Sequence, residues 1–187
     1  MIRIEQQPED VALSFELQVN AEISGVRLSS ANISRSSPDF VLDEYSGFLT
    51  SGVSFKPAER KRLDQRITLA VEFEYRIRSG DMAGTNDGQD LARIRCKFEA
   101  DYDLSPNFDP SELQVVAFHG GNAIFNCWPY FREFIQSATV RMGFPPATVP
   151  FLRLIPKAPP AIEPSPNAVT APGPKGAEAK RLGKRPE

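Results

Sequence analysis

Two stretches of this chain place hydrophobic residues at every second position. In "ITLAVEFEYRIR", Ile67, Leu69, Val71, Phe73, Tyr75 and Ile77 alternate with Thr68, Ala70, Glu72, Glu74, Arg76 and Arg78. In "LARIRCKFEADYDL", Ala92, Ile94, Cys96, Phe98, Ala100, Tyr102 and Leu104 alternate with Arg93, Arg95, Lys97, Glu99, Asp101 and Asp103. Successive side chains of a strand point to opposite faces, so each stretch predicts a strand with one buried and one wet face. The intervening "SGDMAGTNDGQD" is rich in Gly, Asn and Asp, which accept left-handed turn conformations, and it predicts a long-looped antiparallel hairpin. Pairing Phe73 with Cys96 sets Glu74 opposite Arg95 and Glu72 opposite Lys97. Each opposite-charge pair is worth only about 0.2–1 kcal/mol, but together they favour that register.

Weaker alternation in "GVRLSSANIS" (25–34) and "SGVSFKPAERK" (51–61) predicts two further strands, with Pro57 marking an edge or a strand end. "VALSFELQVNAEI", from Val11 to Ile23, also alternates and is read as a strand, although its Leu, Glu and Ala content suits a helix too. After Leu104 the pattern changes. Asp109 as N-cap, Pro110 at the first helical position and Glu112 in the first turn predict a helix, cut short by a flexible joint at Gly120-Gly121. A second helix is expected from near Pro129, whose missing N–H is harmless in a first turn. Phe131, Phe134 or Ile135, Ala138 and Met142 share its apolar face, and Gly143 with Pro145-Pro146 ends it. The order of elements predicts an α+β fold: a four-stranded antiparallel sheet followed by a short helix and a long helix packed on one face.

A length of 187 residues suits one core with extensions. From Ile155 onward the chain holds 8 of its 17 prolines and almost nothing that builds a core. Residues 1–154 are therefore expected to form the folded domain, and 155–187 a Pro-rich, basic, disordered tail. The net charge of −2 hides a division, with 16 basic and 21 acidic residues up to position 154 and 6 and 3 beyond it. The tail's charge is read as solubilising, and no nucleic-acid partner is expected. The opening "MIRIEQQPED" lacks the basic and apolar regions of a secretory signal, and no apolar run approaches the ~20 residues that span a bilayer, so a cytoplasmic protein without membrane insertion is expected.

Candidate chemistry is sparse. Cys96, Cys127 and the single histidine, His119, are too few for a four-ligand structural zinc site, so no metal or cofactor is expected and the cysteines are read as small core residues. "FHGGN" is like the His-Gly-Gly element of some esterase oxyanion holes, but no G-x-S-x-G elbow accompanies it and His119 has no second histidine beside it. Neither a P-loop nor a dinucleotide-binding glycine motif occurs. The chain is read as a non-enzyme.

The strands, short helix, glycine-bearing joint and long helix, ending in "NAIFNCWPYFREFIQSATVRMGFPPATVPFL", resemble the SecB family of export chaperones from about Val26 to Leu154. The most specific elements are Pro129-Tyr130 with Arg132-Glu133, then Arg141 and Gly143 before Phe144-Pro145-Pro146. SecB-like chaperones attached to toxin-antitoxin systems look at least as similar. The resemblance implies a cytosolic homotetramer, a dimer of dimers, that holds unfolded polypeptides in apolar grooves without ATP, for export or for an antitoxin client. Candidates for the client-binding groove are Phe118, Ile124, Phe125, Trp128, Tyr130 and Phe131, which flank Gly120-Gly121. SecB proteins that dock on the motor SecA often end in a zinc-binding tail. This tail has neither Cys nor His, and the last strand offers Arg93, Arg95 and Lys97, so SecA as a partner is in doubt. The other reading is a non-chaperone oligomeric interaction module or adaptor.

Overall fold

The computed structural model describes residues 1–36, 49–79 and 90–157. The expected hairpin loop after Ser79 and the expected disordered tail beyond Lys157 lie outside the described residues. The elements are β1 (Ile2–Gln6), α1 (Pro8–Gln18), β2 (Ala21–Arg35), β3 (Leu49–Leu63), β4 (Arg66–Ser79), β5 (Asp90–Leu104), α2 (Glu112–Phe118), α3 (Ile124–Arg141) and β6 (Leu152–Pro156).

The two alternating stretches are β4 and β5, the central strands of a four-stranded antiparallel sheet in the order β2-β5-β4-β3. Their apolar rows are buried from Ile67 to Ile77 and from Ala92 to Leu104. Phe73 pairs with Cys96, Glu74 with Arg95 and Glu72 with Lys97, the register that the charges favour. Only one of the two charge pairs closes across that ladder, Arg95 Nε to Glu74 at 2.6 Å. Glu72 takes Lys56 at 3.1 Å and Lys97 takes Glu59 at 2.9 Å, both drawn from β3. β3 is an outer strand, and Pro57 sits at a bulge that sets two residues against Ala70. At this point the Ala70 carbonyl is met from the helix layer by His119 Nε2 at 2.6 Å.

The segment from Val11 is a helix, not a strand. Pro8 occupies its first turn with Glu9 and Asp10, where acidic groups complement the helix dipole. Leu17 and Ser14, three apart, are buried, and Ser14 Oγ donates to Asn122 Oδ1 at 2.9 Å. A period-two pattern wound into a helix spreads apolar residues around its whole circumference. Phe15 and Val19 consequently stand in solvent, each 60% exposed. β2 follows directly and supplies the strand expected over 25–34.

α2 begins later than expected. Its N-cap is Ser111, not Asp109, and forms a reciprocal capping box with Gln114. Asp109 bonds Arg62 instead, at 2.6 Å. The Gly120-Gly121 joint is no break: His119–Ala123 form one π-helical turn that runs straight into α3. The second helix thus starts at Ile124, and Pro129 lies inside it, so the Phe125 carbonyl has no N–H four residues on to accept from. A side chain at Gly121 would collide with Gln6, its Cβ lying 2.9 Å from the Gln6 Cδ.

α3 crosses the apolar face of the sheet. Phe131 is fully buried and stacks on Phe73 with ring centroids 4.5 Å apart, while Trp128 meets the Phe55 ring edge-on at 5.7 Å. Gly143, at φ 81°, ends the helix. Its N–H bonds the Val140 carbonyl and that of Phe144 bonds the Thr139 carbonyl, both at 3.0 Å, a Schellman motif. The chain then returns along α3, fastened by Trp128 Nε1 to the Pro150 carbonyl at 3.0 Å and Arg132 Nε to the Val149 carbonyl at 2.8 Å. It leads into β6, which pairs in parallel with β1, a small second sheet absent from the sequence-based expectation.

Two outcomes follow. Phe131→Ala empties a filled site under α3 and should cost about 3–5 kcal/mol, read as a lowered urea midpoint. The His119 imidazole is held below its usual range by burial, which outweighs the Ala70 bond, with Arg60 acting in the same direction. The unfolded chain then takes up the extra proton first, so stability is full above the ordinary histidine value of 6.5 and declines as pH falls below it. Urea midpoints at about pH 7.5 and about pH 5.5 should show this fall, and His119→Gln, which keeps an N–H donor for Ala70, should flatten it.

Candidate functional site

Cys96 and Cys127 are buried free thiols, pushed up to about 12 by burial, which leaves them protonated and weakly nucleophilic at neutral pH. Tyr102 is buried as well, and its hydroxyl accepts from Asn126 Nδ2 at 3.0 Å. Among the described residues no group of His, Cys, Asp and Glu is arranged to hold a metal ion.

Of the six groove candidates, four face the sheet. Phe118, Ile124, Trp128 and Phe131 are core residues, because the helical run continues through the glycines and keeps one face inward from Val115 to Ala138. Phe125 and Tyr130 are each 48% exposed.

Phe125 lies on the rim of a cavity of about 360 Å³. Val11, Phe15 and Gln18 of α1 form one wall, Ala21 and Ile23 of β2 another, and Leu154 of β6 a third. Tyr102 and Phe118 also line it, with Asn122 and Asn126 from the helical run. Phe15, Ile23 and Phe125 are all about half exposed or more, so apolar surface surrounds an open hollow. Sequence reasoning missed Phe15, Ile23 and Leu154. Phe15 and Ile23 carried no separate signal, because both belong to the single alternating apolar row from Val11 to Ile23.

A second uncovered apolar strip runs from this cavity along β2. Val26, Leu28, Ala31 and Ile33 pair with Ala100, Phe98, Cys96 and Ile94, the inward-facing row of β5. They therefore stand on the helix side of the sheet, yet Leu28 and Ile33 are 43% and 47% exposed. At the far end Ile33, Phe134, Ala138 and Met142 border a hollow of about 320 Å³. On α3, Asn126, Tyr130 and Phe134 follow at four-residue spacing and share one flank, so Tyr130 falls between the two hollows. Among the described residues nothing pairs with the outer edge of β2.

No protein-family model matches the chain. The SecB-like chaperones MT2006 and Rv1957, from two strains of Mycobacterium tuberculosis, are 29% and 32% identical to it over 116 residues. That span is 56% of this chain and 64% of each relative, a little under two thirds of their length. The solved structure of the M. tuberculosis SecB-like chaperone Rv1957 in complex with a peptide from the HigA1 antitoxin shares the fold. It superposes with a TM-score of 0.63 at 23% identity, over 76% of this chain and 97% of that one. In sequence over that span, and in fold, this chain is similar to the SecB-like chaperones, the resemblance to which its Pro-Tyr-x-Arg-Glu helix had pointed.

Proposed function

We propose that this protein is an ATP-independent holdase whose client is an unfolded, extended polypeptide, with an antitoxin as the favoured client and exported proteins as the alternative. The observation that carries this reading is the open cavity walled by Phe15, Ile23, Phe125 and Leu154, which offers exposed apolar surface from four separate elements. An unfolded client presents scattered apolar side chains on a stretched backbone. A receptor for it needs apolar contact without close shape matching, and each large side chain withdrawn from water contributes about 1.5–3 kcal/mol, offset in part by ordering of the client. The antitoxin peptide bound by Rv1957 supports the same class of client here.

The groove proposed from sequence is thereby narrowed. Phe125 and Tyr130 are its accessible members, and Phe118 lines the cavity wall, while Ile124, Trp128 and Phe131 hold α3 on the sheet. The β2 strip and its open edge fit a second copy of the chain, the contact from which a dimer of dimers is built. Residues 1–154 carry holding in this reading, and the Pro-rich tail is separate from it. SecA is not assigned as a partner, and the site of action is the cytoplasm.

Phe15→Ser with Phe125→Ser should weaken suppression of client aggregation, read by light scattering, at least about fivefold with little change in thermal midpoint, because both side chains are exposed in the free protein. Unchanged suppression would favour the adaptor reading. Native mass spectrometry should show a tetramer, and Leu28→Lys should shift it to smaller species; a monomeric wild type would remove the assembly from the proposal.

A further inference from the structure

The cavity behind Phe15 and Phe125 mixes two chemistries. Among the described residues no Asp, Glu, Lys, Arg or His lines it. Its polar groups are the carboxamides of Gln6, Gln18, Asn122 and Asn126, with the hydroxyls of Ser14 and Tyr102. Burial holds the Tyr102 hydroxyl above its usual range, so it too is neutral.

Part of this set is spent on the fold. Ser14 Oγ donates to Asn122 Oδ1 at 2.9 Å, Asn122 Nδ2 donates to Gln18 Oε1 at 3.0 Å, and Asn126 Nδ2 donates to the Tyr102 hydroxyl at 3.0 Å. These bonds tie α1 to the helical run and leave Gln18 Nε2 and Asn126 Oδ1 with no partner among the described residues. Gln6 goes further. Its carbonyl accepts from the Lys157 N–H at 2.7 Å within the small sheet, and its side chain lies against Gly121, in space that a Cβ there would take. Yet its carboxamide, half-buried, makes no hydrogen bond among the described residues. No fully buried side-chain nitrogen or oxygen among the described residues lacks a partner, so these open ends are accessible to a ligand.

We infer that Gln6, Gln18 and Asn126 hydrogen-bond the main chain of the bound segment, which makes the cavity a receptor for extended polypeptide whose inward side chains are uncharged. The inference rests on the holdase reading and names its substrate more closely. A main chain carried into an apolar hollow loses its hydrogen bonds to water, and each group left unpaired there is costly. A wall of apolar side chains alone would take client side chains and keep the backbone out. Asn126 Oδ1 and Gln6 Oε1 accept from peptide N–H groups, and Gln18 Nε2 and Gln6 Nε2 donate to peptide carbonyls. Such bonds are the same for every residue but proline, so they add affinity without choosing among clients. An ionised side chain, by contrast, loses its water there with no counter-charge to meet it.

Anisotropy of a fluorescein-labelled Leu-Ser-Leu-Ser-Leu-Ser-Leu peptide, titrated with the full-length protein, tests this beside the light-scattering assay. Methylating the serine main-chain nitrogens removes N–H donors and keeps every side chain, and it should weaken binding at least about fivefold. In Gln6→Met with Asn126→Leu, whose acceptors are gone, the two peptides should bind within about twofold of each other. Gln6→Met alone breaks no side-chain hydrogen bond of the described residues, so it should keep the wild-type thermal midpoint and still shrink the penalty. A peptide with Asp at the central Leu should bind at least about tenfold more weakly than one with Asn there. Equal binding of the plain and methylated peptides by the wild type, a penalty unchanged in the substituted proteins, or equal binding of the Asp and Asn peptides overturns the inference. If neither peptide binds while aggregation is still suppressed, the cavity is covered in solution by a second copy or by residues beyond Lys157, and the inference fails while the holdase reading stands. Absence of both binding and suppression removes both.

Discussion

A single helix is too narrow for the sheet it lies on. With side chains an α-helix is about 10–12 Å across, whereas the outer strands of a four-stranded sheet are about 14 Å apart between axes and their side chains extend further. α3 settles over the centre, where Phe131 meets Phe73, and one margin on each side must be closed by something else. On the β3 side Trp128 leans against Phe55, and the returning segment 144–151 fills in behind it. On the β2 side the described residues leave the margin open, and its apolar row and adjoining hollows are a direct result of that mismatch. The proposed client surface is thus the part of the core that the described helices do not reach.

The sheet's two faces divide the work. One face gathers its energy from apolar burial and leaves part of its apolar row along β2 uncovered among the described residues. The other face is a lattice of ion pairs. Surface pairs of this kind contribute little to stability one by one, about 0–1 kcal/mol each, so their arrangement is freer to follow recognition than packing is.

The central strands and their register were legible because period-two alternation fixes which face each residue takes and cross-strand charge favours one of the alignments that remain, so Phe73 against Cys96 needs both. The helical region was legible in its inward face but not in its boundaries. Glycines normally weaken a helix, and only the tertiary fit of a π turn between His119 and Ala123 keeps this one continuous, with Gln6 laid against Gly121. That continuity turned Phe118, Ile124, Trp128 and Phe131 inward and left Phe125 and Tyr130 outside. α1 was hidden by its own alternation: nothing local distinguishes a strand with one apolar face from a helix that exposes Phe15 and Val19. The β1–β6 pair was invisible because its partners, Ile2 and Leu152, are brought together only by the complete fold.

That same pairing has a consequence for how the molecule is made. Its first strand waits for a partner encoded some 150 positions later, an interval of roughly 8–30 s at ordinary translation speeds. Until β6 leaves the ribosome, Ile2 and Ile4 have no strand to pair with, and one wall of the cavity behind Phe15 is missing. For that interval Ile2 and Ile4 stand in the nascent chain as an unpaired apolar segment, of the same chemical kind as the client proposed above.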